Sequence, residues 1–156
     1  MKLNLVCDIS GSMSEGGKLF TQRTVVMSVA QWVRLGYAHS EIRLGGWASE
    51  TINFPDWSTK DEFPAELLSC GGTSNGQALV QWLGETPDGR VLILTDGFWK
   101  RDDARVLKRW RERLPSDTVR FITIGTDAHP LLKGHEVFAA EDLFAALDGW
   151  LEGGST

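Results

Sequence analysis

LNLVCDISGSM, residues 3–13, changes character at its midpoint. Five residues of mainly apolar character lead to Asp8, and hydroxyls follow at Ser10 and Ser12. An acid closing a buried strand, followed by a Ser/Gly turn, needs a reason, because burying an unpaired carboxylate is costly. Asp8, Ser10 and Ser12 alternate along the chain, so a loop curling over the strand end can turn all three inward, with Gly11 easing the turn.

Working outward, the pattern alternates between strand and helix. The first strand covers 2–8. A helix is expected over Lys18–Tyr37, where Val25, Val29, Trp32 and Val33 recur at helical spacing. SEIRLGGWAS (40–49) reads as a strand, and ETINF (50–54) as an antiparallel return. EFPAELLS (62–69) holds a short helix between prolines, and a further helix runs from Asn75 to Gly84. RVLILT (90–95) is apolar on both faces, the mark of a parallel strand covered on both sides. A charged helix over Arg101–Leu114, the strand TVRFITIG (118–125) and a helix over Glu141–Leu151 complete the order. That last helix places Leu143, Phe144, Leu147, Trp150 and Leu151 on one face. The fold class is therefore α/β, a mostly parallel sheet between helical layers. One domain over 1–152 is expected, with the terminal GGST (153–156) frayed.

Composition narrows the function. The chain has 156 residues and a net charge of -5, which gives no global bias toward nucleic acid. Seven tryptophans are read mainly as core. Cys7 and Cys70 form no CxxC and are read as reduced thiols, a single disulfide being the alternative. Cys7 belongs to the core, pointing away from Asp8 along the strand. No apolar run reaches the length of a membrane span, and Asn4 and Asp8 interrupt any signal-like core, so a cytoplasmic protein is expected.

In open sheets of this kind, ligands bind beyond the carboxyl ends of the strands. Asp8 ends the first strand, Asp96 follows RVLILT, and Thr73 lies in a Gly-Gly loop before a helix. Two carboxylates and three hydroxyls, with no nitrogen or sulfur, are hard oxygen donors suited to Mg2+ or Mn2+. Such a set leaves the ion able to take another anionic oxygen.

DISGSM (8–13), GGTS (71–74) and LTDG (94–97) together resemble the von Willebrand factor type A (vWA) domain with its metal-ion-dependent adhesion site. The family pattern D-x-S-x-S, a later Thr and a later Asp maps onto Asp8, Ser10, Ser12, Thr73 and Asp96. The resemblance covers nearly the whole chain. It implies a Rossmann-like three-layer sandwich, a six-stranded sheet with one antiparallel edge strand. It further implies a divalent ion at the sheet's top and a partner protein whose Glu or Asp completes the metal shell. Small stand-alone bacterial members of the family serve as scaffolds beside AAA+ ATPases of the MoxR kind, which implies a similar intracellular partner system here.

Around the motif, Phe98 and Trp99 depart from the polar or small residues common in the family. With Trp57 they are candidate aromatic anchors for a partner, or else they tuck over the sheet. KRDDARVLKRWRER (100–113) reads as the solvated face of an amphipathic helix buried through Leu107, Trp110 and Leu114, since Asp102, Asp103 and Glu112 interleave. Two enzymatic alternatives exist. A haloacid-dehalogenase-type phosphohydrolase would use Asp8 as nucleophile with Thr73, Lys100 and Asp96. It lacks the usual second acid, because Ser10 stands two residues on. A serine hydrolase would need Ser12, Asp96 and His129, without a G-x-S-x-G elbow.

Overall fold

The computed structural model describes residues 1–130 and 132–151. The terminal GGST, expected to fray, lies outside them. Six strands form one sheet: β1 (Lys2–Asp8), β2 (Glu41–Trp47), β3 (Thr51–Phe54), β4 (Arg90–Thr95), β5 (Val119–Thr123) and β6 (Val137–Ala139). Their order is β3-β2-β1-β4-β5-β6, and only β3 runs antiparallel. The chain moves from β1 to β2 on one side and returns to β4 on the other. The order therefore reverses between β1 and β4, where the carboxyl ends of the two strands open a crevice.

Strand periodicity sorts the core into two layers. Leu3, Leu5 and Cys7 of β1 and Leu92 and Leu94 of β4 face one side. There they meet Val25, Val26 and Val29 of α1 (Lys18–Arg34) and Leu143, Ala146 and Leu147 of α4 (Leu143–Leu147). Val6, Val91 and Ile93 face the other side, against α2 (Gly76–Leu83) and α3 (Arg101–Glu112). Trp110 of α3 is fully buried there and donates its indole N–H to the Gly84 carbonyl at 3.0 Å. Truncating a core tryptophan of this kind costs about 3–5 kcal/mol.

The ends of elements differ from the sequence expectation for local reasons. α1 stops at Arg34 rather than Tyr37, because Gly36 takes φ +84° and turns the chain out of the helix. The short helix in EFPAELLS is a 3-10 turn over Ala65–Leu68. The final helix is broken: a 3-10 turn (Ala140–Asp142) precedes α4, and Asp148 is already extended. Trp150 and Leu151 are buried nonetheless, after a turn at Gly149, whereas Phe144 is 52% exposed rather than on the buried face. β6 has only three half-buried residues and had no signature in the sequence of its own. Cys7 and Cys70 are free thiols, and burial pushes the Cys7 pKa up. No helix among the described residues is long and apolar enough to cross a membrane.

Candidate functional site

Four segments meet at the crevice. The loop after β1 is pinned to the loop before α2 by two backbone bonds. Gly11 N–H donates to the Gly72 carbonyl at 2.9 Å, and Gly71 N–H to the Ile9 carbonyl at 3.0 Å. The loop after β4 carries Asp96, and the loop after β5 closes over it, His129 N–H donating to the Asp96 carbonyl at 2.7 Å. Only some of the glycines here are required by conformation. Gly72 has φ +74° and Gly97 φ +77°, and a Cβ at Gly97 would run into Leu132 at 2.9 Å. Gly11 and Gly71 take ordinary φ; the expected tight turn at Gly11 is present, as a 3-10 turn over Gly11–Ser14, without needing a left-handed backbone.

Asp8 is fully buried. Its carboxylate accepts from Ser10 N–H at 2.9 Å and from the Thr95 hydroxyl at 2.6 Å, and the Ser74 hydroxyl lies 3.5 Å from both oxygens. Burial raises its pKa, opposed by the Ser10 and Thr95 hydrogen bonds and reinforced by the nearby charge of Asp96. Gln22 of α1 donates to the Asp8 carbonyl at 3.1 Å, fixing the strand end from behind.

Two hydroxyls stand out. Ser10 Oγ and Ser12 Oγ are buried and have no hydrogen-bond partner. The Ser10 hydroxyl approaches the Asp8 carboxylate without completing a bond. Buried hydroxyls are almost always satisfied, so two orphans on the loop that follows a buried acid mark a place for an external partner.

Asp96 is also fully buried, and it accepts from Phe98 N–H at 3.2 Å. Its other oxygen faces Lys18 at 3.1 Å. Lys18, the first residue of α1, is 2% exposed. Its ammonium also reaches the Ser12 carbonyl at 3.2 Å and the Asp127 carboxylate at 3.1 Å. Burial acts to lower its pKa, but the hydrogen bonds to Asp127 and Asp96 outweigh it and hold the pKa above the ordinary value. Lys18 is therefore a fixed cation inside the site. The Phe98 ring lies 5.5 Å from its nitrogen.

Of the expected site residues, Asp8 ends β1 at the crevice, and Ser10, Ser12 and Asp96 lie on the loops that frame it. Thr73 stands on the same rim, exposed, with its N–H held by Ser49 Oγ at 3.2 Å. Phe98 is exposed at the crevice edge and meets His129 edge-on at 5.2 Å. Trp99 tucks back over the sheet: its ring lies 5.8 Å from both Trp47 and Phe121, and its N–H donates to Thr95 at 3.1 Å. Trp57 is placed elsewhere. It follows β3, which descends from the crevice, and its indole bonds the Glu62 carbonyl at 2.9 Å near the far end of α1. Lys18, Thr95, Ser74 and Gln22 were not singled out by the sequence. The signal for Thr95 was available, since it directly precedes Asp96 on the strand beside β1.

Lys100, which the phosphohydrolase alternative needs beside Asp8, is exposed at the start of α3. Ser12 Oγ makes no hydrogen bond, so it has no base in contact. No group of three His, Cys, Asp or Glu suited to a metal occurs among the described residues. The donors present are hydroxyls with two acids, a set that only a hard cation would favour.

No protein-family model matches the sequence, and no curated protein matches it. Solved structures do match. The manganese-loaded Plasmodium vivax TRAP protein superposes with a TM-score of 0.61 at 14% identity, over 97% of this chain and 73% of that one. An aerotolerance-related membrane protein from Bacteroides fragilis NCTC 9343 gives 0.56 at 15%, over 80% and 68%. The conserved hypothetical protein BatB from Bacteroides thetaiotaomicron gives 0.55 at 15%, over 79% and 66%. At these identities the shared property is the fold, and it is the vWA-type, Rossmann-like fold expected from the sequence.

Proposed function

We propose that this domain is a divalent-metal-dependent protein-binding module. Asp8, Ser10, Ser12, Thr73 and Asp96 would hold Mg2+ or Mn2+ at the crevice, and an acidic side chain of a partner protein would complete the shell. The observation that carries this reading is the pair of orphaned hydroxyls, Ser10 and Ser12, on the loop that leaves the buried Asp8 at the end of β1. A hard cation satisfies both hydroxyls and offsets the buried charge at once. Bound there, it would act as a Lewis acid with an open position for a carboxylate. The chain's own residues keep the donors in place: Gln22 and Thr95 fix Asp8, and Phe98 N–H and Lys18 fix Asp96. The resemblance between DISGSM, GGTS and LTDG and the adhesion-site pattern supports the same assignment. A cytoplasmic setting beside a MoxR-type AAA+ ATPase belongs to this proposal as an analogy from the family.

Isothermal titration with Mn2+ tests it. Wild type is expected to bind one ion, and Asp8→Ala to lose at least about 100-fold in affinity while remaining folded. Equal binding by both proteins would overturn the assignment. A pull-down in Mg2+ against EDTA then identifies the partner, whose retention in EDTA would count against metal-dependent capture.

A further inference from the structure

We infer that the groove running from the crevice along α3 binds an acidic peptide segment, whose leading carboxylate meets the metal. This rests on the metal-site reading and adds the chemistry of the partner. The groove encloses about 460 Å3 and begins at Gly97 and His129, the residues flanking Asp96. One wall is the α3 stripe Arg101, Arg105, Lys108 and Arg111, and Lys133 stands opposite. Spacings of four, three and three put those cations on one helix face. Trp99, Leu132 and Val137 supply apolar lining.

In the sequence, acids interleave with these cations. The fold turns one of those acids, Asp103, away from the groove. The Asp103 carboxylate turns to α2 and accepts from Gly76 N–H at 2.9 Å. Glu136 is taken by Arg111 at 2.8 Å. Asp102 is 94% exposed and reaches Arg105 only at 3.8 Å, a pair worth little. Arg101, Lys108 and Lys133 form no ion pair with a described residue. A chain of net charge -5 thus concentrates positive charge in one groove beside its metal site.

Arg101 to Arg111 spans about 15 Å of helix. An extended peptide covers that in about four to five residues. A segment with one acid for the metal and further acids over the next few residues matches this layout. Nucleic acid fits less well. The Trp99 ring packs at 5.8 Å against both Trp47 and Phe121 and its N–H is taken by Thr95, and the remaining surface of a chain of net charge -5 repels a long polyanion.

The test is fluorescence anisotropy with a fluorescein-labelled octaglutamate peptide, in Mg2+ and in EDTA. A Gly/Ser peptide with a single Glu and an oligothymidine of equal length serve as comparators. In Mg2+, octaglutamate is expected to bind at least about tenfold more tightly than either comparator. Arg105→Glu/Lys108→Glu should weaken it about tenfold or more. Arg109→Glu/Arg113→Glu makes the same charge change on the other face of α3 and should weaken it less than about twofold. Equal losses in the two variants, tighter binding of oligothymidine, or no binding of octaglutamate would each overturn the groove. The two readings separate cleanly. Loss in EDTA with no effect of Arg105→Glu/Lys108→Glu leaves the metal site standing and removes the groove. Binding that persists in EDTA but fails in that variant does the reverse.

Discussion

Asp8 and Asp117 sit at opposite ends of the parallel strands and meet opposite treatment. Asp117, before β5, takes φ +63° and grips Arg120 through two bonds of 2.8 Å. Its carbonyl accepts from Arg90 at 2.9 Å and from Trp150 N–H at 2.7 Å. Arg120 also donates to the Ala146 carbonyl at 2.6 Å and lies over the Phe138 and Trp150 rings. Arg90 Nε aside, the polar groups of this cluster are satisfied, and the Arg120 guanidinium lowers the Asp117 pKa. At the other end Asp8 is buried, its pKa is raised, and two neighbouring hydroxyls are left over. One end spends its polar groups on holding the fold. The other keeps them in reserve, which is what a binding site requires.

The largest expected effect comes from the exception at the crevice, Lys18. Lys18→Met leaves Asp96 buried without its counter-ion, a loss of about 3–5 kcal/mol in EDTA. Mn2+ should restore part of that, stabilising Lys18→Met more than it stabilises wild type at the same concentration, because an external cation then stands in for the resident one. Urea titrations with and without Mn2+ measure both. A variant as stable as wild type in EDTA, or one that Mn2+ stabilises no more than wild type, removes Lys18 from the site's charge balance. Arg120→Ala comes next, at about 2–3 kcal/mol, since it breaks the bidentate pair and the Ala146 bond and strips cover from two rings. Mn2+ should give this variant no more stabilisation than it gives wild type. A larger rescue would mean the two ends are coupled.

Asp8→Asn should go the other way. It removes a buried charge while keeping the shape, so stability at neutral pH should rise by about 1 kcal/mol as Mn2+ affinity collapses. Stability falling alongside affinity would make Asp8 a structural residue and erase the contrast between the ends.

How much of this could be read from the chain follows from how local each feature is. The placement of Asp8, Ser10 and Ser12 was legible because they share one strand end. RVLILT announced a covered parallel strand, which put Asp96 at the same edge. β6 was not legible, because three half-buried residues at a sheet edge carry no period of their own. Lys18 was missed because it opens a helix, where a lysine ordinarily faces water. Its burial comes from the loop around Asp127, about a hundred residues away, folding down on it. Gln22, one turn on, reaches the end of β1 at the same edge of the sheet, and that i, i+4 pair of long polar residues was the available hint. Trp57 shows the converse. Its place depends on β3 leading the chain away from the crevice, and composition alone could not reveal that.

The smallest effect isolates charge from shape. Asn tolerates φ +63° nearly as well as Asp, so Asp117→Asn removes the charge with little backbone cost. The Asp117 side chain is 38% exposed, so solvent screens the pair and the loss at neutral pH should be about 1 kcal/mol. Its pH dependence fixes the cause. The folded Asp117 pKa lies below the unfolded one, so its contribution is complete above the ordinary Asp range and disappears as pH falls through the folded pKa. The gap between wild type and Asp117→Asn should therefore close in acid. Asp8 has the reverse sign: its folded pKa is raised, so it costs stability above the ordinary Asp range, and that cost is relieved as pH falls. The advantage of Asp8→Asn should accordingly also shrink as pH falls, beginning at higher pH than the Asp117 effect. Two acids whose substitutions shift stability in opposite directions at neutral pH, and converge on wild type in acid, would separate a group that holds the fold from one held ready for a ligand. If both substitutions shift stability in the same direction, burial at the crevice is not what distinguishes them.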